Sequence, residues 1–138
     1  MSHIKFNNII DGNTVKIGSQ IIQLEGISAP KINQTCQLNS NPWECGKASR
    51  KALKKRIGDF PFKCLITNDD DPSLNIGICF SNNINLNAWM IENGWAVLHP
   101  SDSKNYIDLQ KSAQQHKRGI WASTFANPWE WQKGLYSE

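Results

Sequence analysis

Two β-hairpin signals flank one amphipathic helix, and that order limits the fold more than any other feature of the chain. Val15-Lys16-Ile17 and Gln20 to Leu24 are β-rich runs around Gly18-Ser19, which reads as a two-residue hairpin turn. A second hairpin runs from Phe62 to Thr67, after Pro61, and from Asn75 to Phe80, joined by the Asp- and Pro-rich turn Asn68 to Ser73. Between them Cys45, Ala48, Ala52, Leu53 and Ile57 recur at helical spacing, which predicts a helix from Cys45 to Ile57 stopped by Gly58. Pro30 is expected to end the second strand, and Lys31 to Pro42 to form a polar, irregular surface loop. Asn85 caps a short helix, Leu86 to Glu92, closed by Asn93-Gly94. A third helix, Tyr106 to Lys117, carries Tyr106, Leu109, Ala113 and His116 on one stripe and ends at Gly119. The order hairpin, helix, hairpin, helix, helix predicts a small, mostly antiparallel barrel with helices on one side, an OB-type fold.

Composition agrees with a single domain over residues 1–138. The chain has 138 residues, 39% of them apolar and 20% charged, which excludes a disordered class. No apolar run is long enough to span a bilayer. Met1 to Phe6 has no apolar h-region, so no signal peptide is expected there. A net charge of +3 does not by itself announce a nucleic-acid binder. Its distribution says more: Glu44 to Asp59 carries a local +4, and the rest of the chain is close to neutral. At 100° per residue Lys47, Arg50, Lys51, Lys54 and Lys55 fall in one arc of roughly 140°, opposite the apolar side. Such a face suits phosphates, an acidic protein or anionic lipid, and it is also what an ordinary solvated helix presents. Arg56 falls among the apolar residues and is expected to snorkel or pair.

The cysteines are Cys36, Cys45, Cys64 and Cys79. No CxxC pair and no His at zinc spacing accompany them, so no metal site is expected from them. Three pairings are open. Cys36–Cys45 and Cys64–Cys79 are favoured because each pair flanks a local loop or hairpin. Two bridges imply an oxidising compartment, hence a secreted or periplasmic location; four buried thiols in a cytosolic protein are the alternative.

Asp11-Gly12-Asn13-Thr14 is where the chain begins to resemble the staphylococcal (thermonuclease) nuclease family, which reads Asp-Gly-Asp-Thr there. The likeness continues through Gln23-Leu24-Glu25-Gly26-Ile27-Ser28-Ala29-Pro30-Lys31, where the family has Arg-Leu-x-Gly-Ile-Asp-Ala/Thr-Pro-Glu. Gln34-Thr35-Cys36 and Pro42-Trp43-Glu44-Cys45-Gly46 resemble a bacterial exported subgroup. Leu86-Asn87-Ala88-Trp89-Met90, Gly94-Trp95-Ala96, Gly119-Ile120-Trp121, Phe125 and Pro128-Trp129 follow in the family's order. The resemblance covers residues 9 to 131 and implies a five-stranded OB barrel with three helices.

It also implies a reaction, phosphodiester hydrolysis with one calcium ion. Calcium needs oxygen ligands, the attacking water a carboxylate, and the phosphoryl oxygens arginines. Carried over by position, the metal carboxylates become Asn13 and Ser28, and the neighbouring threonine becomes Ala29. The water-activating glutamate becomes Lys31, and the two phosphate arginines become Gln23 and, after the Asp69-Asp70-Asp71-Pro72-Ser73 turn, Leu74. Asp11 is retained. Glu25 shares a strand face with Gln23, and the two carboxylates are expected to form a salt-bridged pocket with Lys31. Asp69, Asp70 and Asp71 read as a solvated turn, and His3, His99 and His116 as surface or core-edge residues. Trp89, Trp95 and Trp121 are expected in the core, with Trp43, Trp129 and Trp131 packing the C-terminal segment onto the barrel or, as the alternative, forming an exposed aromatic patch for a partner.

The expectation from these substitutions is a monomeric, non-enzymatic nuclease-like module needing no cofactor. Its partner would be a protein or single-stranded nucleic acid, met through Lys47, Arg50, Lys51, Lys54 and Lys55. An exported structural or interaction protein is a related reading. The alternative is a calcium-dependent endonuclease with a rearranged site that uses Asp11, Glu25 or the Asp69–Asp71 turn.

Overall fold

A computed structural model describes residues 9–68, 75–100 and 105–131 of the chain. Strands β1 (Ile9–Asp11), β2 (Thr14–Ile17) and β3 (Gln20–Leu24) form an antiparallel meander. Ile17 pairs with Gln20 across Gly18-Ser19, so the turn expected there is the turn observed. The β3 strand stops at Leu24, before Pro30. Gly26, at φ 82°, turns the chain, and β4 (Ile27–Ser28) leaves the meander to pair elsewhere.

The stretch expected as an irregular surface loop is partly built and partly buried. β5 (Cys36–Leu38) pairs antiparallel with β6 (Asn41–Trp43), and Asn39 and Ser40 both take positive φ at the turn. Gln34 is fully buried despite its polar side chain, because its hydrogen bonds are met inside the protein. Its Oε1 accepts from the Lys31 amide at 3.1 Å and its Nε2 donates to the Ala126 carbonyl at 2.7 Å.

Helix α1 (Cys45–Ile57) has the expected bounds, with Gly58 at φ 60° as its C-cap. β7 (Phe62–Ile66) pairs antiparallel with β8 (Asn75–Ser81), and β8 runs parallel to β3 with Ile22 opposite Asn75 and Leu24 opposite Gly77. The sheet order is β1-β2-β3-β8-β7, with β9 (Ile84–Asn85) added on β8. Helix α2 (Leu86–Glu92) starts at Asn85, whose side chain accepts from the Ala88 amide. β10 (Val97–Leu98) pairs antiparallel with β4. Helix α3 spans Ile107–Gln115, shorter at both ends than Tyr106 to Lys117. Tyr106 and Lys117 have φ of 69° and 53°, left-handed values that a helix does not use. The result is a curled, mixed sheet with three helices among the described residues, the OB-type architecture expected.

Apolar side chains from both layers fill the space inside the curl. Val15, Ile22, Leu24, Leu53, Phe62, Leu86, Met90 and Ile91 are buried in one cluster. A second cluster, Cys36, Cys45, Val97 and Ile120 with Trp43, Trp95, Trp121 and Phe125 against it, glues the β5–β6 hairpin to the C-terminal segment. Cys36–Cys45 and Cys64–Cys79 are both disulfides, and no cysteine is free. Such bridges persist in oxidising surroundings. No described helix is long and apolar enough to cross a membrane.

Candidate functional site: a polar cleft beside β3

Where β1, β3 and β4 diverge, a cleft of about 520 Å³ opens. Asp11, Asn13, Gln23, Glu25, Ser28 and Lys31 all line it, so the fold brings together the positions singled out on chemical grounds. His99 and Trp129 complete its rim, and Thr67 and Asn68 lie along it.

Each side chain is held by a local reason. Asp11 Oδ1 accepts from the Asn13 amide at 3.0 Å, a turn in which the carboxylate replaces a backbone acceptor. Asn13 Nδ2 donates to the Ile27 carbonyl at 3.2 Å, so its amide fastens the first turn to β4. Gln23 is exposed on β3, opposite Thr14 on one side and Ile76 on the other. Ser28 is buried, only 8% exposed, and paired with Val97.

Glu25 sits at the rim through Asn87, which is fully buried in α2. Asn87 Nδ2 donates to the Glu25 carbonyl at 3.0 Å and to the Gly77 carbonyl at 3.1 Å, while its Oδ1 accepts from the Cys79 amide at 3.1 Å. Lys31 projects into solvent from a turn clamped by Gln34. The first turn of α1 lies directly on that turn: a Cβ at Gly46 would collide with the Lys31 carbonyl oxygen.

The expected salt-bridged pocket is not what forms. Among the described residues no ion pair joins Lys31 to Asp11 or Glu25, and the ion pair found is Lys47–Glu44 at 3.3 Å. Asp11 is turned into its own Asx hydrogen bond, and Lys31, held by its backbone amide to Gln34, is an exposed residue of the cleft wall. The cleft therefore offers two carboxylates, one ammonium and the amide groups of Asn13 and Gln23 as separate contacts. Calcium takes six to eight oxygen ligands, several of them carboxylates. Among the described residues no group of three or more His, Cys, Asp or Glu is placed to hold a metal, and the Lys31 cation shares the cleft. Among the described residues the donor set does not fit the ion. Asp69 to Asp71, Leu74 and His3 lie outside the described residues.

The basic arc on α1 is divided by the fold. Lys51, Lys54 and Lys55 are exposed, with no side-chain partner among the described residues. Lys47 pairs with Glu44, and Arg50 is half-buried, its Nε donating to the Ile9 carbonyl at 2.6 Å. Arg50 thus fastens α1 to β1 and leaves the binding set. Arg56 lies over the Trp89 ring, 5.8 Å from its centroid.

The meeting of Trp129 with His99 at the cleft was the part missed. His99 was expected at a surface or core edge, and Trp129 as packing for the tail. Their rings lie 5.9 Å apart at 56°, and the indole is 37% exposed. The available signal was Pro128-Trp129, which ends the run of likenesses to the family.

Sequence comparisons place the chain among known proteins. The family model for staphylococcal nuclease homologues matches residues 21–123. The succinoglycan biosynthesis protein ExoI of Rhizobium meliloti is 32% identical over 118 residues, covering 83% of this chain and 62% of that one. Two rice proteins (Oryza sativa subsp. japonica), the probable staphylococcal-like nucleases CAN2 and CAN3, are 29% and 28% identical over 115 residues. Those alignments cover 81% of this chain but only 29% and 28% of the rice proteins, so the chain spans less than two thirds of each relative. The names of the rice proteins and of the family overturn the expectation of a non-enzyme, because replaced side chains alone do not establish a lost reaction. With a match over most of its length and the site positions gathered in one cleft, this chain belongs to the staphylococcal nuclease homologue family.

Proposed function

We propose that this domain, as a monomer, takes single-stranded nucleic acid into the cleft beside β3. The observation that carries the reading is the joint placement of Lys31, Gln23 and Asn13 on one open cleft. Lys31 meets a phosphate as a point charge, and Gln23 donates to a phosphate oxygen or a base edge from the exposed strand. Lys51, Lys54 and Lys55 extend the positive track along the outside of α1, as strand-binding grooves need. The two disulfides support a secreted or periplasmic setting.

Phosphodiester hydrolysis in the same cleft is a second reading. It is favoured by the rice relatives' names and by Asp11 and Glu25 lining the cleft with Lys31. A carboxylate would orient water, and the ammonium would meet charge growing on the phosphoryl oxygens. The calcium-dependent form of this reading requires ligands from Asp11, Glu25 or the 69–71 turn.

The test is binding and cleavage of end-labelled single-stranded DNA and RNA, with calcium and with chelator. A neutral polysaccharide serves as competitor, since one relative is named for succinoglycan biosynthesis. Saturable binding that Lys31→Ala weakens about tenfold is the expected result. Product that survives repurification and disappears in Asp11→Asn adds hydrolysis. Strand binding that is absent, or displaced by the polysaccharide, overturns the nucleic-acid reading.

A further inference from the structure

We infer that Trp129, backed by His99, is a base-stacking wall of the cleft and makes it select unpaired bases. This rests on the reading that the cleft takes nucleic acid. It goes further by assigning a specificity-determining residue to the C-terminal segment, far in sequence from the other cleft residues.

Three independent anchors hold that segment over the cleft. Gln37 and Thr124 exchange backbone hydrogen bonds of 2.8 and 2.9 Å. The buried Gln34 holds the Ala126 carbonyl at 2.7 Å. Pro128 is fully buried, and the Glu130 and Trp131 amides close a turn on the Asn127 carbonyl. Position 129 is therefore fixed before any ligand arrives.

Burial at this turn is supplied by Pro128, and Trp129, 37% exposed, lies on the wall shared with Lys31. The tilted imidazole of His99, 5.9 Å away, supports the ring from one side. An indole ring carries no charge and no fixed donor pattern on its face, so any base suits it, provided that base is not already stacked in a duplex. A phosphate on Lys31 and a base on Trp129 divide the contacts of one nucleotide between charge and stacking.

The experiment is fluorescence anisotropy with two labelled strands of equal length, an oligothymidylate and its abasic counterpart. The proteins are the wild type, Trp129→Ala and Trp129→Phe, each checked by thermal melting. The expected result is that Trp129→Ala weakens oligothymidylate binding about ten- to a hundredfold, while Trp129→Phe keeps most of it. The abasic strand should bind the wild type as weakly as oligothymidylate binds Trp129→Ala, and Trp129→Ala should not weaken it further. Wild-type affinity of Trp129→Ala for oligothymidylate overturns the wall and leaves the nucleic-acid reading standing. Equal wild-type binding of the two strands does the same without any variant. If the wild type binds neither strand, the reading of the cleft falls and the wall with it.

Discussion

The cleft and the outer face of α1 use their cations in opposite ways. In the cleft one lysine stands on a concave wall with two carboxylates and two side-chain amides, each placed by a named hydrogen bond or a strand register. On α1 three lysines line an open groove of about 650 Å³ together with Ile32, Lys47 and Arg50, and that arginine donates to the Ile9 carbonyl. Charge was the louder signal in the sequence, yet the quieter region is where carboxylates, amides and an ammonium converge, while the α1 groove is lined by charges of one sign. A charged face raises the local concentration of a polyanion and fades with salt, whereas a cleft fixes where a ligand atom sits.

The strongest way to break this contrast is at the joint between the two regions. Gly46 belongs to α1, yet an added Cβ there meets the backbone of Lys31, which cannot retreat without moving the cleft wall. Gly46→Ala is expected to destabilise the protein by about 3 kcal/mol and to abolish strand binding. Denaturant unfolding measures the first effect and anisotropy the second. A stable variant with normal binding would mean that the helix and the cleft are not rigidly joined.

Asn87→Ala tests the cleft alone. It strips the Asn87 partner from the buried Cys79 amide and from the Glu25 carbonyl, and takes one of two hydrogen bonds from the Gly77 carbonyl, which keeps the Glu25 amide at 2.8 Å. A loss of about 2 kcal/mol is expected from the unsatisfied groups, read as a lower melting temperature. Replacing Lys51, Lys54 and Lys55 together by Gln should change stability by no more than about 0.5 kcal/mol. If the triple variant is the less stable of the two, the outer face is structural and the comparison is reversed.

How far these roles could be read beforehand follows from their physics. The Val15–Leu24 hairpin, α1 with its Gly58 stop, the Asn85 cap and both cysteine pairs are local, and each was legible from spacing or turn chemistry. β4 and β10 were not, because two residues cannot show a period and their pairing depends on the barrel's curl. Gln34 was hidden for another reason. Its polarity points to solvent, while its burial depends on a carbonyl 92 residues away. The family positions around Asp11 and Lys31 were legible as a set, but their hydrogen bonds were not. Trp129 met His99 only once the C-terminal segment had been anchored by Gln37 and Gln34.

Salt dependence weighs the two regions without altering the fold. Each phosphate neutralised on a single strand contributes a slope of about −0.7 in log affinity against log salt. If the strand leaves the cleft and runs along α1, the Lys51, Lys54 and Lys55 triple substitution should flatten the slope by about 2. Lys31→Gln should flatten it by about 0.7 and lower affinity at every salt concentration. An unchanged slope in the triple variant would reduce the α1 face to ordinary solvation and leave the cleft as the whole interface.

The smallest expected effect sharpens the same point. Lys47 and Glu44 form an exposed pair at 3.3 Å, with side chains 57% and 66% accessible. Exposed pairs contribute little, and Glu44, at the N-cap position, makes no side-chain cap hydrogen bond. Its charge still lies near the positive end of the helix dipole, a weakly favourable place. Glu44→Ala should therefore cost at most about 0.5 kcal/mol in urea unfolding. It also frees a fourth lysine on the outer face, so a strand that touches α1 should bind up to about twofold tighter at low salt and equally at high salt. Tighter binding at both salts would mean that Glu44 obstructs the strand sterically. A stability loss above about 1 kcal/mol would mean that the carboxylate holds the start of α1, and with it the Lys31 turn of the cleft.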